Sequence, residues 1–306
     1  MDIVSTIKSH NLILTEAAVL EALRRSGHVR LHHRLENALL IYDETGRNAL
    51  SELYNGFISI AHDAGIPIVL TTPTWRANFE RVSEENTELD INGDAVQYLQ
   101  NLRGQCGEWT DNIGIGGLVG CKNDCYKPNE SLPTEKARAF HLWQVERLSE
   151  KGIDFLLAAT LPAVPEAIGI ARAMEQTAIP YIISFVINRN GHVLDGTSLV
   201  DAIDKIDAAC GNPPLGYMVN CAYPSFLNAP SQPDAVLSRL IGYQANSSSQ
   251  EHSDLDNARD LQTDDIDDWG TRMIELNRKY GVKILGGCCG TGFEHLRYIA
   301  RNYNCE

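Results

Sequence analysis

The 306-residue sequence is short of basic side chains: 26 Lys and Arg stand against 40 Asp and Glu, a formal net charge of −14. Binding to a nucleic acid rests on a basic footprint that displaces counterions, so this balance argues against a nucleic-acid partner. No apolar run reaches the roughly 20 residues of a membrane span, which argues against a membrane protein. The opening residues, Met1-Asp2-Ile3-Val4-Ser5-Thr6-Ile7-Lys8, lack the long apolar core of a secretory signal. Eight cysteines are too few at this length for a secreted disulfide scaffold. Together these absences point to a reducing, cytoplasmic setting in which thiols stay available. Internal repeats, low-complexity segments and an early Gly-rich phosphate turn are also missing.

What is present is an alternation of short apolar runs with helical periodicities from one end to the other. The runs are Leu12–Leu14, Pro67–Thr71, Asn112–Gly116, Asp154–Ala158, Tyr181–Val186, Gly216–Asn220, Leu240–Tyr243 and Val282–Leu285. They are nearly continuous in apolar character, as expected of parallel strands covered on both faces. Eight strands, each followed by a helix or long loop, predict a (β/α)8 TIM barrel of the α/β class, one domain over residues 1–306. A doubly wound sheet is the alternative, but it usually has fewer strands. The composition shift at 246–268, Asn-Ser-Ser-Ser and then an acidic stretch, predicts a solvated loop. The insertion at 119–133 holds Cys121 and Cys125 without a second pair at zinc-finger spacing, and predicts a loop over the barrel mouth with free thiols.

The chain's most informative stretch is Gly286-Gly287-Cys288-Cys289-Gly290-Thr291-Gly292, at the end of the eighth run. Adjacent side chains on a regular strand point to opposite faces. On an irregular turn between glycines, both thiols can meet at one point. Inert core cysteines are the alternative, but the glycine surroundings leave a core little to pack. Active sites of barrels lie at the C-terminal ends of the strands, and Cys221 ends the sixth. Cys221, Cys288 and Cys289 therefore form a candidate site for Zn²⁺, with a fourth position open as in catalytic zinc. Three thiolates blunt the Lewis acidity needed to activate water and suit an incoming thiol, which coordination deprotonates. That chemistry is alkylation of a thiol.

With these residues in view, the chain resembles the homocysteine S-methyltransferase family of zinc-dependent barrels over nearly its whole length. The carriers are Val219-Asn220-Cys221 and Gly286-Gly287-Cys288-Cys289-Gly290-Thr291. Thr71–Asn78, His141-x-x-Gln144, Gly152–Leu156, Ser184-Phe185 and Asp195-Gly196 support them. The resemblance implies transfer of a methyl group from an onium or methylated-cofactor donor to a small-molecule thiol; were that thiol homocysteine, the product would be methionine. A separate methylcorrinoid protein as donor partner, or a barrel that binds zinc or a thiol without turnover, are the alternatives. The oligomeric state is left open. Two positions depart from the family. Thr15 stands where an aspartate is usual after the first strand, and Ala159 precedes Thr160 where a glutamate is usual. Both acidic groups would hold an amino acid's ammonium, so the acceptor is opened to a thiol without that head group.

The remaining candidate substrate residues are Glu16, Trp75, Arg76, Thr160 and Asn220. Glu16 either supplies the displaced carboxylate or is a first-turn helix residue favoured by the helix dipole. Trp75 offers an indole face to a cationic donor, or simply packs. Arg76 either receives a substrate carboxylate or makes a salt bridge with Glu16 or Glu80. His141, on a helical face, is a packing or surface residue rather than a ligand.

Overall fold

The computed structural model describes residues 1–251 and 261–303. Its eight strands close in chain order into one barrel, every neighbouring pair parallel and β1 meeting β8. The strands are β1 (Ile13–Thr15), β2 (Ile68–Thr71), β3 (Ile113–Gly120), β4 (Phe155–Leu161), β5 (Tyr181–Phe185), β6 (Gly216–Ala222), β7 (Leu240–Ala245) and β8 (Ile284–Gly287). Each expected apolar run overlaps one of them. The (β/α)8 architecture expected from the sequence is the one observed.

Inward side chains Ile13, Val69, Phe155, Leu157, Ile182, Met218 and Ile284 fill the barrel as one cluster. Helix α1 (Ile3–Ser9) packs Ile3, Val4 and Ile7 against that cluster and covers the N-terminal end. Fully burying a side chain of this size contributes roughly 1.5–3 kcal/mol. Outward side chains such as Leu14, Leu70, Ile115, Leu156, Ile183, Val219 and Leu285 join the larger layer between strands and helices. Burial on both faces explains why the strands lack polar alternation.

The site depends on several helices. α2 (Leu20–Ser26) and α3 (Glu44–Ala64) precede β2, and α4 (Phe79–Glu84) and α5 (Ile91–Gly104) follow it. α6 (Thr134–Ser149) and α7 (Val164–Met174) flank β4, and α8 (Leu199–Ala209) precedes β6. A short α9 (Asp234–Leu237), then α10 (Ile266–Tyr280) and α11 (Phe293–Asn302), complete the ring of described helices.

Two expectations need correction. β3 runs on through Val119 and Gly120, so the insertion begins at Cys121. The stretch 246–268 is not wholly a solvated loop. Asn246, Ser247 and Ser248 are buried, and Asp265 caps α10 by accepting from Asp267 N and Asp268 N. The run of aspartates there is a helix start, where carboxylates oppose the positive end of the dipole. Residues 252–260 of that stretch lie outside the described residues.

Candidate metal centre and substrate pocket

Cys221 sits one residue before the end of β6 with φ 53°. The register with β7 shifts between Asn220 and Ala222, a bulge that redirects the side chain toward the mouth. A left-handed residue other than glycine costs of order 1–3 kcal/mol and persists where its surroundings hold it. Asn220 does the holding. Its Oδ1 accepts from Thr160 N at 2.9 Å and Ser184 Oγ at 2.7 Å, and its Nδ2 donates to Thr160 Oγ1 at 2.7 Å. Thr160 is itself left-handed, with φ 61°. One buried amide thus laces the ends of β4, β5 and β6.

The second half of the centre is the turn after β8. Cys288 N donates to Ala245 O at 2.7 Å, and Thr291 Oγ1 donates back to Cys288 O at 2.7 Å. Cys289 O accepts from Ser247 N at 3.0 Å. Gly290 takes φ 80°, and its N–H donates to the Glu21 carboxylate. A side chain at Gly286 would run into Thr15 Cγ2 at 2.5 Å and Glu16 O at 2.7 Å, so that glycine lets the β1 loop lie against the turn.

The turn and the bulge bring the sulfurs of Cys221, Cys288 and Cys289 within 4.8 Å of one another. Tetrahedral zinc with bonds of about 2.3 Å needs sulfurs about 3.8 Å apart, so the donor set fits that ion. Cys221 and Cys288, with Cα atoms 5.4 Å apart, are in direct sulfur contact as a disulfide pair. This differs from the expectation of three free thiols. Two sulfurs aimed at one point across that Cα separation fall within disulfide reach, and the bridge and a metal compete for the same atoms. Burial, and next Glu21, push the Cys289 thiol up to about 12. A bound cation is the group that would offset this.

The sulfurs open into a cavity of about 660 Å³ at the C-terminal mouth, lined also by Glu16, Trp75, Arg76, Thr160 and Asn220. Every site residue singled out in the sequence therefore meets in one place. Their bonding differs in part from expectation. Glu16 lies ahead of α2, not in its first turn, and its carboxylate accepts from Thr71 N at 2.7 Å and from Thr71 Oγ1. Arg76 makes no salt bridge with Glu16 or Glu80; its Nη1 donates to Cys121 O at 3.0 Å and Asn123 O at 2.7 Å, while Lys122 takes Glu80. The guanidinium lies 3.9 Å over the Trp75 ring, so one indole face is already covered.

Burial raises the Glu16 carboxyl to about 7, against the lowering effect of its Thr71 hydrogen bonds. A carboxyl raised by folding binds its proton longer in the folded state. Stability is therefore greatest below the ordinary glutamate range, falls as pH rises toward 7, and levels off above it. Relative to Glu16→Gln, the wild-type protein should lose about 3 kcal/mol between pH 4 and pH 8, measured as the difference in urea midpoints. A constant difference across that range would contradict the assignment.

Asn220 yields a second expectation. Asn220→Ala leaves the Thr160 and Ser184 donors unpaired and releases the Cys221 bulge, so metal retention should weaken about 10- to 100-fold. Metal competition against a chromophoric chelator measures this.

Several pocket residues were not singled out as site residues from the sequence. Gln244, at the end of β7, lines the cavity and its Nε2 sits 3.5 Å from Thr15 Oγ1; its strand-end position alone could have marked it. The 121–132 loop brings Cys125 and Tyr126 into the wall, and Tyr126 hydrogen-bonds Cys289. Cys121 and Cys125 are buried free thiols, as the loop was expected to carry. The loop is tied down by Glu166, which accepts from Lys122 N at 2.8 Å, Leu132 N at 3.1 Å and His141 Nε2 at 2.9 Å. His141 is thus a packed residue, fully buried.

The closed (β/α)8 barrel places three convergent cysteines at its C-terminal mouth, an arrangement suited to a thiol methyltransferase, the class to which the family match assigns it. The profile of the homocysteine S-methyltransferase family matches residues 13–303, and the chain belongs to that family. It is 26% identical over 314 residues to homocysteine S-methyltransferase YbgG of Bacillus subtilis, covering 96% of this chain and 95% of that protein. It is 28% identical over 174 residues to homocysteine S-methyltransferase 2 of Arabidopsis thaliana, covering 56% of this chain and 51% of that one. The crystal structure of the Escherichia coli homocysteine methyltransferase MmuM in its metallated form superposes with TM-score 0.72 at 17% identity, over 97% of this chain and 98% of that one. Its oxidized form gives 0.72 at 19% identity, over 97% of each chain. Among the described residues no helix is long and apolar enough to cross a membrane.

Proposed function

We propose that the protein is a zinc-dependent S-methyltransferase that moves a methyl group from an onium or methylated-cofactor donor to a small thiol held at Cys221, Cys288 and Cys289. The convergence of these three sulfurs within 4.8 Å at the open end of a substrate-sized cavity carries the reading. Zinc, when bound, would supply deprotonation of the acceptor thiol at neutral pH without loss of its nucleophilicity.

The chain's own residues do the rest. Asn220 and the glycine turn fix the three sulfurs, and the 121–132 loop contributes Cys125 and Tyr126 to the pocket wall. The barrel wall aligns acceptor and donor for in-line attack, the main source of acceleration for two bound small molecules. A sulfur–methyl bond forms as the donor's bond to that methyl breaks. The bonding pair leaves with the donor heteroatom, or with the corrinoid cobalt, and the acceptor's thiol proton passes to solvent. Homocysteine and related thiols are the acceptors consistent with the family, and a reducing cytoplasm suits the unpaired cysteines.

Zinc-loaded, reduced protein should be incubated with thiols and, separately, with S-methylmethionine, S-adenosylmethionine, betaine and a methylcorrinoid. Methylated thiol with a small-molecule donor is the expected result. Product with the corrinoid alone would assign the protein to a methyl relay. No product from any pair would leave a binding protein and contradict the reading.

A further inference from the structure

The charges lining the pocket are unevenly matched. Each of its acids already has a positive or N–H partner. Glu16 is held by Thr71, Glu21 by Arg25 Nε at 2.9 Å, and Glu36 by Arg24 Nη2 at 3.2 Å. Asp124 accepts from Tyr126 N at 2.9 Å and pairs with Lys127 at 3.4 Å, and Lys127 also reaches Glu130 at 3.6 Å.

Two of the lining cations lack a carboxylate. Arg76, 9% exposed, rests on Trp75 and donates to two backbone carbonyls. Arg81 of α4, partly buried, donates from Nη1 to Arg34 O at 2.6 Å. Among the described residues neither has an acid within ion-pair distance. The two guanidiniums repel, which after burial is the next cause lowering the Arg81 pKa, and Glu36 and Glu80 offset part of this from beyond ion-pair distance. Removing a cation from water without a counter-ion is costly, and two neighbouring ones compound that cost unless an anion joins them.

Around the sulfurs, by contrast, the strand ends present Ala159, Thr160, Asn220 and Gln244 to the cavity, none of them charged. An ammonium group placed there would find no free carboxylate. Arg76, Arg81 and the three cysteines line the same cavity, so one molecule held in it can meet both the guanidiniums and the sulfurs.

We propose that the acceptor is a short thiol that carries a carboxylate or comparable anion and no ammonium, with Arg76 and Arg81 receiving the anion while its sulfur meets the cysteine centre. This deepens the function proposed above and rests on it. A guanidinium pair recognises a planar anion through directed, charge-assisted hydrogen bonds, which an ammonium-bearing thiol exploits only by bringing its own cation into the same wall.

The test uses reduced, cobalt-loaded protein, in which thiolate coordination is read from the sulfur-to-cobalt charge-transfer band. The probes are 3-mercaptopropionate, cysteamine, homocysteine and ethanethiol. 3-Mercaptopropionate should bind at least about tenfold more tightly than any of the other three, the scale of one charge-assisted contact. In Arg81→Gln its advantage over ethanethiol should fall about tenfold, and Arg81→Lys should restore part of it; a merely structural role would weaken both thiols alike. Homocysteine or cysteamine binding as tightly as 3-mercaptopropionate would overturn the inference and leave the thiol methyltransferase reading standing. A band unchanged by every thiol would overturn that reading as well.

Discussion

Serine at position 221, 288 or 289 is expected to leave a folded barrel that no longer retains stoichiometric metal and transfers no methyl group above background. The three sulfurs act as a unit. Each contributes one of only three protein donors, and hydroxyl oxygen is a poor ligand for a borderline-soft ion. Loss should therefore be close to complete for each single variant, not graded. Folding should survive, because the centre sits on strand ends above a barrel already filled by Phe155, Leu157 and Met218. Circular dichroism checks the fold, and metal content after dialysis checks the site. A Cys289→Ser protein with full metal and full activity would refute the assignment.

The second large effect lies away from the sulfurs. Glu166→Ala should destabilise the protein by about 3–5 kcal/mol, because it leaves three donors, His141 Nε2, Lys122 N and Leu132 N, without their acceptor, each at a cost of about 1–3 kcal/mol. Glu166 and His141 are both fully buried, and the carboxylate also accepts the two N–H groups that begin and end the 121–132 loop. Burial works to raise the Glu166 carboxyl, yet hydrogen bonds from His141, Lys122 N and Leu132 N bring it below the ordinary glutamate range. The sign follows from that lowering. The contribution is complete above about pH 5 and is lost as pH falls through the folded value. The gap in urea midpoint between wild type and Glu166→Ala should therefore shrink below pH 4. Because the loop carries Tyr126 to Cys289, the variant should also weaken acceptor binding more than donor binding.

The barrel was legible because its strands are apolar on both faces and end at turn residues, so each stands out as a run. The three cysteines were legible for a different reason. Strand-end position converts sequence order into a place on one rim, which needs no knowledge of side-chain contacts. The network beneath them was not legible. Asn220 reads as a polar strand end, and nothing local shows that its amide meets Thr160 and Ser184 on two other strands. Glu166 reads as an ordinary acid in the first turn of α7, where the helix dipole favours one. Its pairing with His141 depends on how α6 packs on α7. The setting of Glu16 was hidden in the same way. A carboxylate beside a strand end gives no local sign that Thr71, 55 positions on, donates to it.

Zinc K-edge absorption of the reduced, zinc-loaded protein tests the central claim most directly. The account predicts three sulfur neighbours at about 2.3 Å and one lighter atom in the free protein, changing to four sulfurs when a productive thiol is added. Two sulfurs or fewer, or a first shell of three sulfurs that no thiol alters, would contradict it.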